Sequence, residues 1–392
     1  MRAVVLAAGE GARLRPLTEA LPKPMLRVAN RPIAQFAVEA LVANGITDIT
    51  FVAGYRKEKL QSYFEDGKRF GAKIDYVFQE VLLGTAHALA QVDLHDDEAV
   101  VMGGDNVVDA RLIKDLLNGK DAPRLVVHRS SSPSKYGVVT LDRGRVARIQ
   151  EKPLDYRSET VNTGVYYFPK GFQKDLQERV RRGIGGLSLV LQDLIESSVK
   201  VGAVPSEGLW MDAVYPWDLL SLNEALVRRA IREAGLPDPP GPVQLGKGTT
   251  VRRTASIVGP ALLGEGCLVE SGVALGPTTS IGDNVSLGAN CVVENSVLMD
   301  DVRVGPGSIL RNSILAEGVT VGPRFTALSG ACDFHAEDGW HSLEDFGCVI
   351  GNDARLGGNV TIEPGLTVGA GATVGSGAWL RRSVGQGAAV QG

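Results

Sequence analysis

The stretch "LVESGVALGPTTSIGDNVSLGANCVV", residues 268–293, carries an aliphatic side chain at every sixth position. A period of six matches neither the period of an α-helix, about 3.6 residues, nor the simple alternation of a strand. It is typical of a parallel β-helix, in which short strands and tight turns alternate and each strand points one aliphatic side chain inward. Stacking of these side chains would form one continuous core.

The six-residue series extends well beyond that stretch. Its first run consists of Leu245, Val251, Ile257, Leu263, Val269, Leu275, Ile281, Leu287, Val293 and Met299. After a slip near Met299 it resumes with Ile350, Leu356, Ile362, Val368, Val374 and Leu380. The repeat resembles the left-handed β-helix of hexapeptide acyltransferases, and we predict that fold for residues 243–392. Residues 323–347 break the repeat and predict an inserted loop; long loops in compact domains are usually functional or disordered.

A different pattern runs from the first strand to Ala234. Strand-like segments such as "ITDITFVAGY" and "AVVMGGD" alternate with amphipathic helical segments such as "IAQFAVEALVANG". This alternation predicts an α/β domain with a Rossmann-like, mostly parallel sheet over residues 1–234. The segment "GLPDPPGP", residues 235–242, is too rich in proline to continue a helix or a central strand, and it is predicted to be a linker.

The composition excludes several classes of protein. The net charge of −4 provides no basic footprint for nucleic acid. No apolar run approaches the roughly 20 residues that span a bilayer, and Arg2 leads directly into the first strand without a signal pattern. We therefore expect a cytoplasmic protein that binds neither nucleic acid nor a membrane. The four cysteines lack CxxC spacing and are expected to be unpaired, mostly packed thiols.

A glycine-rich turn with cations follows the first predicted strand, in "VVLAAGEGARLRPLTEALPKPML", residues 4–26. Backbone N–H groups of such a turn can cradle phosphate oxygens. The turn fits neither a dinucleotide-binding fingerprint, because Leu14 stands where the third glycine belongs, nor a Walker loop. Arg13 and Lys23 beside such a cradle suit a triphosphate under attack. The alternative is a surface turn with solvated arginines.

The segments "LAAGEGARLRPLT" and "LPKPML" resemble the signature of sugar-1-phosphate nucleotidylyltransferases. Further segments follow in that family's order: "QEVLLGTAHAL", "GGDN", "YGVV", "EKP", "VNTGVYYF" and "WMDAVYPWDLL". The resemblance implies transfer of a nucleotidyl group from a nucleoside triphosphate to a sugar-1-phosphate, with release of pyrophosphate. It favours UTP or dTTP as donor, and glucose-1-phosphate or N-acetylglucosamine-1-phosphate as acceptor.

The resemblance also implies roles for individual residues. Arg13 would hold the leaving phosphates, Lys23 would neutralise the transferring group, and Asp105 and Asp212 would bind Mg²⁺. The residues that would bind the nucleotide are Leu6, Ala8, Gly9, Gly11, Gln79, Gly84 and Thr85. Those that would bind the sugar phosphate are Gly137, Glu151, Lys152 and Asn162. The acceptor phosphate is itself the nucleophile, so the reaction needs positioning and charge neutralisation rather than a general base. One departure from the family is that "DAVYPWD" lacks the usual Gly-Thr before Pro-Trp.

The inserted loop leaves a second activity open. The pairing of the two domains resembles bifunctional enzymes of UDP-N-acetylglucosamine synthesis, whose acyltransferase site lies between neighbouring β-helices. The loop has no lysine and no Asn-Tyr pair, but it contains Asp333, His335, Glu337, Asp338, Trp340 and His341. Three hypotheses remain: a loop that only closes the coil or packs in a trimer, acetyl transfer from acetyl-CoA with His335 or His341 as general base, and a metal site formed by His335, His341 and an acid.

Two hypotheses of different class cover the whole chain. The first is an active nucleotidylyltransferase, and the second is a non-catalytic regulatory or assembly subunit of the same layout. Retention of Arg13, Lys23 and both metal aspartates favours the enzyme. The flat faces of the β-helix, with Trp379 and Val390 predicted to be exposed near its end, favour a homo-oligomer, either a trimer or a dimer of trimers.

Overall fold

The computed structural model describes residues 1–235 and 242–392. These residues form two compact units: unit 1 comprises Met1–Glu10 and Ile33–Asp212, and unit 2 comprises Gly11–Pro32 and Ala213–Gly392. The division predicted from the sequence, 1–234 and 243–392, places residues 11–32 and 213–234 differently and stays a prediction. The predicted linker, 235–242, lies almost entirely outside the described residues.

The elements of residues 1–235 follow in chain order. The strands are β1 Arg2–Ala7, β2 Arg27–Val28, β3 Arg31–Pro32, β4 Asp48–Ala53, β5 Lys73–Phe78, β6 Ala99–Gly103, β7 Asn106–Val108, β8 Arg124–Arg129, β9 Gly137–Asp142, β10 Arg145–Glu151, β11 Thr160–Phe168, β12 Gly202–Pro205 and β13 Trp210–Asp212. The α-helices are α1 Ile33–Val42, α2 Lys57–Phe64, α3 Thr85–Ala90, α4 Ala110–Leu117, α5 Phe172–Arg181, α6 Leu187–Glu196 and α7 Pro216–Glu233. Short 3₁₀ turns are Ala12–Leu14, Leu17–Glu19, Lys23–Met25, Lys68–Phe70 and Pro133–Lys135.

Unit 1 is built on a mixed sheet with the strand order β5-β4-β1-β6-β11-β8-β12-β10-β9. Strands β5, β4, β1 and β6 are parallel, whereas β11 runs antiparallel to both β6 and β8. Strand β1 lies between β4 and β6 in the parallel part of the sheet, and its apolar run is completely buried at Ala3, Val4 and Val5. From β1 the chain adds strands on one side and then crosses to add β6 on the other, which opens a crevice at the carboxyl ends. The predicted mostly parallel α/β sheet is confirmed.

Unit 2 contains a parallel β-helix with three faces, as predicted. Face 1 is formed by Val243–Leu245, Ala261–Leu263, Thr279–Ile281, Val297–Leu298, Ile314–Leu315, Val349–Ile350 and Thr367–Val368. Face 2 is formed by Thr250–Val251, Leu268–Val269, Ser286–Leu287, Arg303–Val304, Thr320–Val321, Arg355–Leu356, Thr373–Val374 and Ala389–Val390. Face 3 is formed by Ser256–Ile257, Ala274–Leu275, Val292–Glu294, Ile309–Arg311, Thr326–Ala327, Thr361–Ile362 and Trp379–Leu380.

The slip in the repeat arises at the corner between faces 3 and 1. Ile281 pairs with Leu298 and Leu298 with Leu315, so these two coils are one residue shorter than their predecessors. Each short turn contains an asparagine with left-handed φ, Asn295 at 42° and Asn312 at 47°. Leu298 therefore belongs to the aliphatic core, and the prediction that Met299 fills this position is wrong by one residue.

The segment predicted as a loop over 323–347 is a β-hairpin. Its strands, Gly330–Ala336 and Gly339–Phe346, pair antiparallel, and Thr326–Ala327 still belongs to face 3. The hairpin emerges at the corner that holds the two short turns. The side-chain nitrogen of Asn295 donates to Asn312 (2.7 Å), and that of Asn312 donates to Ser329 (2.8 Å) at the base of the hairpin. The other two corners keep six-residue spacing through every coil from Leu263 to Leu380.

Polar contacts attach helix α7 and residues 11–32 to the β-helix. The side chain of Asn223 is buried, accepts from the Ala29 amide (2.9 Å) and donates to the Thr278 carbonyl (2.8 Å). Asn30 donates to the carbonyl of Ile281 (2.7 Å), and Arg27 pairs with Asp300 (2.7 Å). A buried amide whose hydrogen bonds are satisfied fixes its partners strongly, since leaving such groups unpaired is costly.

The state of the cysteines agrees with the prediction from their spacing. All four cysteines are free, and Cys267, Cys291 and Cys348 are buried whereas Cys332 is partly buried, which confirms the prediction of unpaired, mostly packed thiols. Among the described helices, none combines the length and apolar character needed to cross a membrane.

Candidate active site

The carboxyl ends of parallel strands gather the predicted nucleotide-binding residues of unit 1. The Leu6 carbonyl accepts from the amide of Gly104 (2.8 Å) in the loop after β6, and the Ala8 carbonyl accepts from the amide of Tyr55 (3.2 Å) after β4. Gly9 is exposed at this edge, and a Cβ added to it would meet no atom within 4 Å. Open backbone of this kind is what close approach of a phosphate or a base requires.

Gln79 lies directly after β5 at the same edge. Its side chain is buried, and its Nε2 lies 2.8 Å from Nδ1 of His87 and 3.4 Å from the carbonyl of Gly84. The Thr85 hydroxyl accepts from the amide of Leu187 (2.9 Å), so it supports the loop before α6. The amide of Gln79 is therefore held in one orientation at the mouth of the crevice.

A short pair of strands brings the two predicted metal ligands together. Strand β13 pairs antiparallel with β7 so that Asp212 lies opposite Asn106, the neighbour of Asp105. Both aspartates are partly buried. A Cβ on Gly103 would collide with a carboxylate oxygen of Asp105, so the glycine leaves room for that carboxylate to turn back over the strand end. Carboxylate oxygens are ligands of the kind that Mg²⁺ prefers.

The predicted sugar-phosphate residues lie on β9, β10 and β11. Gly137 pairs with Glu151, and a Cβ on Gly137 would lie 3.1 Å from the Glu151 carboxylate. Lys152 follows with a left-handed φ of 42°, and its amide donates to the Tyr136 carbonyl (3.0 Å). Asn162 is buried and donates to the Tyr166 hydroxyl (2.8 Å).

Trp210 is a neighbour of these residues that the sequence did not single out. Its Nε1 donates to the carbonyl of Thr163 (3.0 Å), and its ring contacts Tyr136 edge-on with centroids 5.0 Å apart. Strand β13 is thereby held against the segments predicted to bind the sugar phosphate. The only sequence signal was its position two residues before Asp212.

The signature segment Gly11–Pro32 belongs to unit 2. Gly11 has a φ of 67°, and a Cβ there would lie 2.9 Å from the Cβ of Lys23 and 3.3 Å from Cγ2 of Thr18. The Thr18 hydroxyl also donates to the Gly11 carbonyl (2.9 Å). Glycine is therefore required to pack the stem of Lys23 against the turn. Arg13 lies in the 3₁₀ turn that follows, with 38% of its side chain exposed.

Arg13 contacts the hairpin of the β-helix. Its Nε lies 2.9 Å from Oδ2 of Asp338, and this oxygen also accepts from the Tyr215 hydroxyl (2.8 Å). The other carboxylate oxygen lies 3.1 Å from Nε2 of His341. Burial raises the pKa of Tyr215 to about 12, and the hydrogen bond with Asp338 adds to this shift. None of these contacts was predicted.

The two histidines of the hairpin lie on different faces. His335 pairs with Trp340 across the hairpin, whereas His341 is the next residue and opposes Phe334. Because successive side chains of a strand point to opposite faces, the hypothesis of a metal site built on both histidines is wrong. Over residues 1–235 and 242–392, no group of three or more His, Cys, Asp or Glu side chains is arranged to hold a metal ion.

Comparisons with known proteins agree on both parts of the chain. A family model described as nucleotidyl transferase matches residues 2–228, one described as GMPPB C-terminal domain matches residues 257–332, and one described as bacterial transferase hexapeptide matches residues 347–382. Glucose-1-phosphate thymidylyltransferase of Streptomyces antibioticus is 34% identical over 72% of this chain and 83% of the relative.

Two further relatives and one solved structure are also similar to the chain. UTP–glucose-1-phosphate uridylyltransferase of a Synechocystis species is 29% identical over 76% of this chain and 90% of its own length. The bifunctional protein GlmU of Methanocaldococcus jannaschii is 36% identical over 58% of this chain and 54% of its own length. A solved structure of a putative glucose-1-phosphate thymidylyltransferase from Bacillus anthracis covers 58% of this chain and 95% of itself, with 26% identity and a TM-score of 0.53.

Proposed function

Because the chain belongs to the nucleotidyl transferase family, and within it to the sugar-1-phosphate nucleotidyltransferases, we propose that it joins UTP or dTTP to glucose-1-phosphate or N-acetylglucosamine-1-phosphate and releases pyrophosphate. The observation that supports the proposal is the pairing of β7 with β13, in which Asp212 lies opposite Asn106, the neighbour of Asp105. Ligands of open α/β sheets bind at the carboxyl ends of the strands.

The two aspartates are proposed to hold Mg²⁺, which would supply positive charge to the reacting phosphates. Arg13 is proposed to bind the leaving pyrophosphate, and Lys23 to neutralise the transferring phosphate. Glu151 would accept hydrogen bonds from sugar hydroxyls, while Lys152 would contact the sugar phosphate. No residue needs to remove a proton, because a phosphate dianion is already a nucleophile.

The anchored amide of Gln79 supports a pyrimidine base. Its Nε2 is engaged by His87 and the Gly84 carbonyl, so Oε1 is the atom left to face a ligand. Uracil and thymine both carry an imide N–H that donates to such an oxygen. Selectivity between UTP and dTTP would depend on the ribose and the C5 methyl group.

The test is a panel of four nucleoside triphosphates against glucose-1-phosphate and N-acetylglucosamine-1-phosphate, with pyrophosphate release as the measurement. We expect turnover with UTP or dTTP that requires Mg²⁺ and stops when EDTA is added. The variant Gln79→Glu tests the role of this side chain. Its carboxylate can still accept a hydrogen bond but can no longer donate one to His87, and we therefore expect weaker nucleotide binding. Absence of turnover for every pair would favour the alternative, a non-catalytic regulatory or assembly subunit.

Acetyl transfer from acetyl-CoA is a separate proposal for the hairpin. Its support is the contact of His341 with Asp338, since an acid that orients an imidazole is one half of a general base. The measurement is release of free coenzyme A with glucosamine-1-phosphate as acceptor, for the wild type and for His341→Gln. If the release of coenzyme A is equal in both proteins, or absent from both, His341 does not act as a general base in acetyl transfer.

Association through the β-helix is also a proposal. Trp379 is 58% exposed beside Arg381 on face 3, and an exposed aromatic side chain of this kind is typical of an interface. Val390, by contrast, packs against the aliphatic core, so the prediction that it is exposed is wrong. We expect the full chain to sediment as a trimer or a dimer of trimers, and Trp379→Ser to weaken the assembly. A monomer at micromolar concentration would contradict this.

A further inference from the structure

The hairpin is fixed firmly to the body of unit 2. Phe334 and Phe346 are fully buried and meet edge-on, with centroids 5.8 Å apart. Phe334 also meets the ring of Trp217 at the start of α7, with centroids 5.2 Å apart. A Cβ on Gly365 would lie 2.9 Å from the sulfur of Cys332, so the hairpin packs closely on the neighbouring coil as well. Its tip is therefore held in one place.

The tip directs one carboxylate at three donors. Asp338 contacts Arg13, Tyr215 and His341 at 2.8–3.1 Å, and 32% of its side chain is exposed. Burial alone would raise the pKa of Asp338, but hydrogen bonds from His341 and Tyr215 and the charge of Arg13 outweigh it and lower the pKa. The carboxylate is thus ionised at neutral pH and fully engaged.

Tyr215 contacts the hairpin, and it lies in the segment where the sequence departs from the family pattern. It stands in "DAVYPWD", where the family usually has Gly-Thr before Pro-Trp. Its ring stacks on Trp217 with centroids 4.5 Å apart and an interplanar angle of 9°, and the ring of His341 lies 4.6 Å away. The Arg13 guanidinium lies 6.0 Å from the same ring, at the limit of a cation–π contact. The unusual tyrosine and the inserted hairpin therefore meet at the signature arginine.

The geometry of the ion pair indicates that Asp338 orients the Arg13 guanidinium and does not block its phosphate-binding end. The contact uses Nε, the inner nitrogen of the guanidinium, whereas the two outer nitrogens form the end that binds phosphate oxygens in pairs. A guanidinium held by its inner nitrogen loses rotamer freedom before the substrate arrives, which reduces the entropy lost on binding. Tyr215 and His341 in turn fix the carboxylate that holds it.

We propose that Asp338, supported by Tyr215, is a positioning residue for Arg13 in nucleotidyl transfer. A hairpin inserted in the β-helix would then set the efficiency of a reaction whose signature lies near the start of the chain. The inference rests on the proposed function of Arg13 as the residue that binds the leaving pyrophosphate.

The experiment compares Asp338→Asn with Glu337→Gln in the full chain. Both remove one negative charge from the hairpin tip, but Glu337 is exposed and next to the ion pair rather than in it. We expect Asp338→Asn to lower kcat about 10-fold or more with little change in KM for the sugar phosphate, and Glu337→Gln to match the wild type. Tyr215→Phe, which keeps the ring and removes the hydroxyl, should lower kcat in the same direction and guards against a folding defect in Asp338→Asn.

A double mutant tests whether Asp338 acts through Arg13. If it does, Arg13→Ala with Asp338→Asn should be no slower than Arg13→Ala alone, because the second change removes nothing further. Additive losses would overturn the inference. Binding of pyrophosphate by calorimetry gives a readout besides activity, and Asp338→Asn should weaken it whereas Glu337→Gln should not.

The outcomes separate the inference from the proposed function. A wild type that releases no pyrophosphate with any substrate pair contradicts the proposed function itself. An active wild type whose Asp338→Asn variant equals it in kcat and in pyrophosphate binding contradicts only the positioning role. A variant faster than the wild type would show that the hairpin restrains Arg13, and this too would overturn the inference.

Discussion

Replacing Gly11 by alanine should destabilise unit 2 and displace Lys23. The φ of 67° at this position is left-handed, which costs an L-residue about 1–2 kcal/mol. The added Cβ would lie 2.9 Å from the Cβ of Lys23, and overpacking of this kind typically costs about 1–3 kcal/mol. Because the unfolded alanine chain has less entropy, less than about 1 kcal/mol is returned. The net loss is therefore about 2–4 kcal/mol.

The assay is thermal unfolding of the full chain, measured by differential scanning calorimetry. A loss of this size should lower the Tm of the transition that includes unit 2 by roughly 5–10 °C. Since Lys23 must move to make room, kcat for pyrophosphate release should fall as well. The change in Tm does not depend on any assigned role for Lys23, whereas the change in kcat does.

Gly9→Ala is the matched control in the same turn. A Cβ there meets nothing within 4 Å, so the Tm should stay within about 1 °C of the wild type. If the backbone of Gly9 binds the nucleotide, the Gly9→Ala variant should have a higher KM for the nucleoside triphosphate although its stability is unchanged. Equal melting of the wild type and Gly11→Ala, or equal losses for both alanine variants, would refute the packing argument.

Four further predictions follow from the site and its surroundings. Asp105→Asn and Asp212→Asn should each abolish pyrophosphate release while the far-ultraviolet circular dichroism stays unchanged, and near-normal turnover at ordinary Mg²⁺ would remove them as metal ligands. Arg13→Ala should lower kcat by roughly 10²-fold, and a change confined to KM for the sugar phosphate would assign it elsewhere. Because the pKa of Asp338 is lowered from 3.8, its stabilising contribution is present above that pH and lost as the pH falls through the folded value; the Tm gap between the wild type and Asp338→Asn should therefore close at acidic pH, and a gap that widens there would contradict the ion pair. Burial raises the pKa of the Cys348 thiol to about 12, so iodoacetamide at pH 8 should leave it unmodified in the native protein, as peptide mass spectrometry can show; its labelling as fast as in urea would contradict its burial.

Periodicity predicted the β-helix because every coil buries the same kind of side chain at the same position. The two short turns were not predicted, and the reason lies in the residues next to the first of them. Leu298 and Met299 are both apolar, so a shift by one residue left the pattern plausible. The hairpin escaped because its buried positions, such as Phe334 and Phe346, are few and are separated by exposed charged residues.

The parts of the candidate site that lie at the ends of paired strands could be predicted from the sequence. Asp105 directly precedes β7 and Asp212 ends β13, and the pairing of these two strands brings the two motifs close together, while the role of both aspartates as metal ligands stays a prediction. The pair of Arg13 with Asp338 could not be predicted in this way. It joins two segments far apart in the chain through a hairpin whose own structure was unknown, and a single acid among several in that segment carries no signal of its partner.

The uneven coil lengths make one edge of the β-helix different from the other two. Shortened turns and a seventeen-to-eighteen-residue expansion of one coil all occur at the corner between faces 3 and 1, while the remaining corners keep a constant spacing. Natural insertions and deletions should therefore accumulate along this edge among related chains, because the pitch of the coil is maintained elsewhere. For protein engineering, the turn at Asn295 or Asn312 is the place to graft a foreign segment, and the same graft at either constant corner should disrupt the stack.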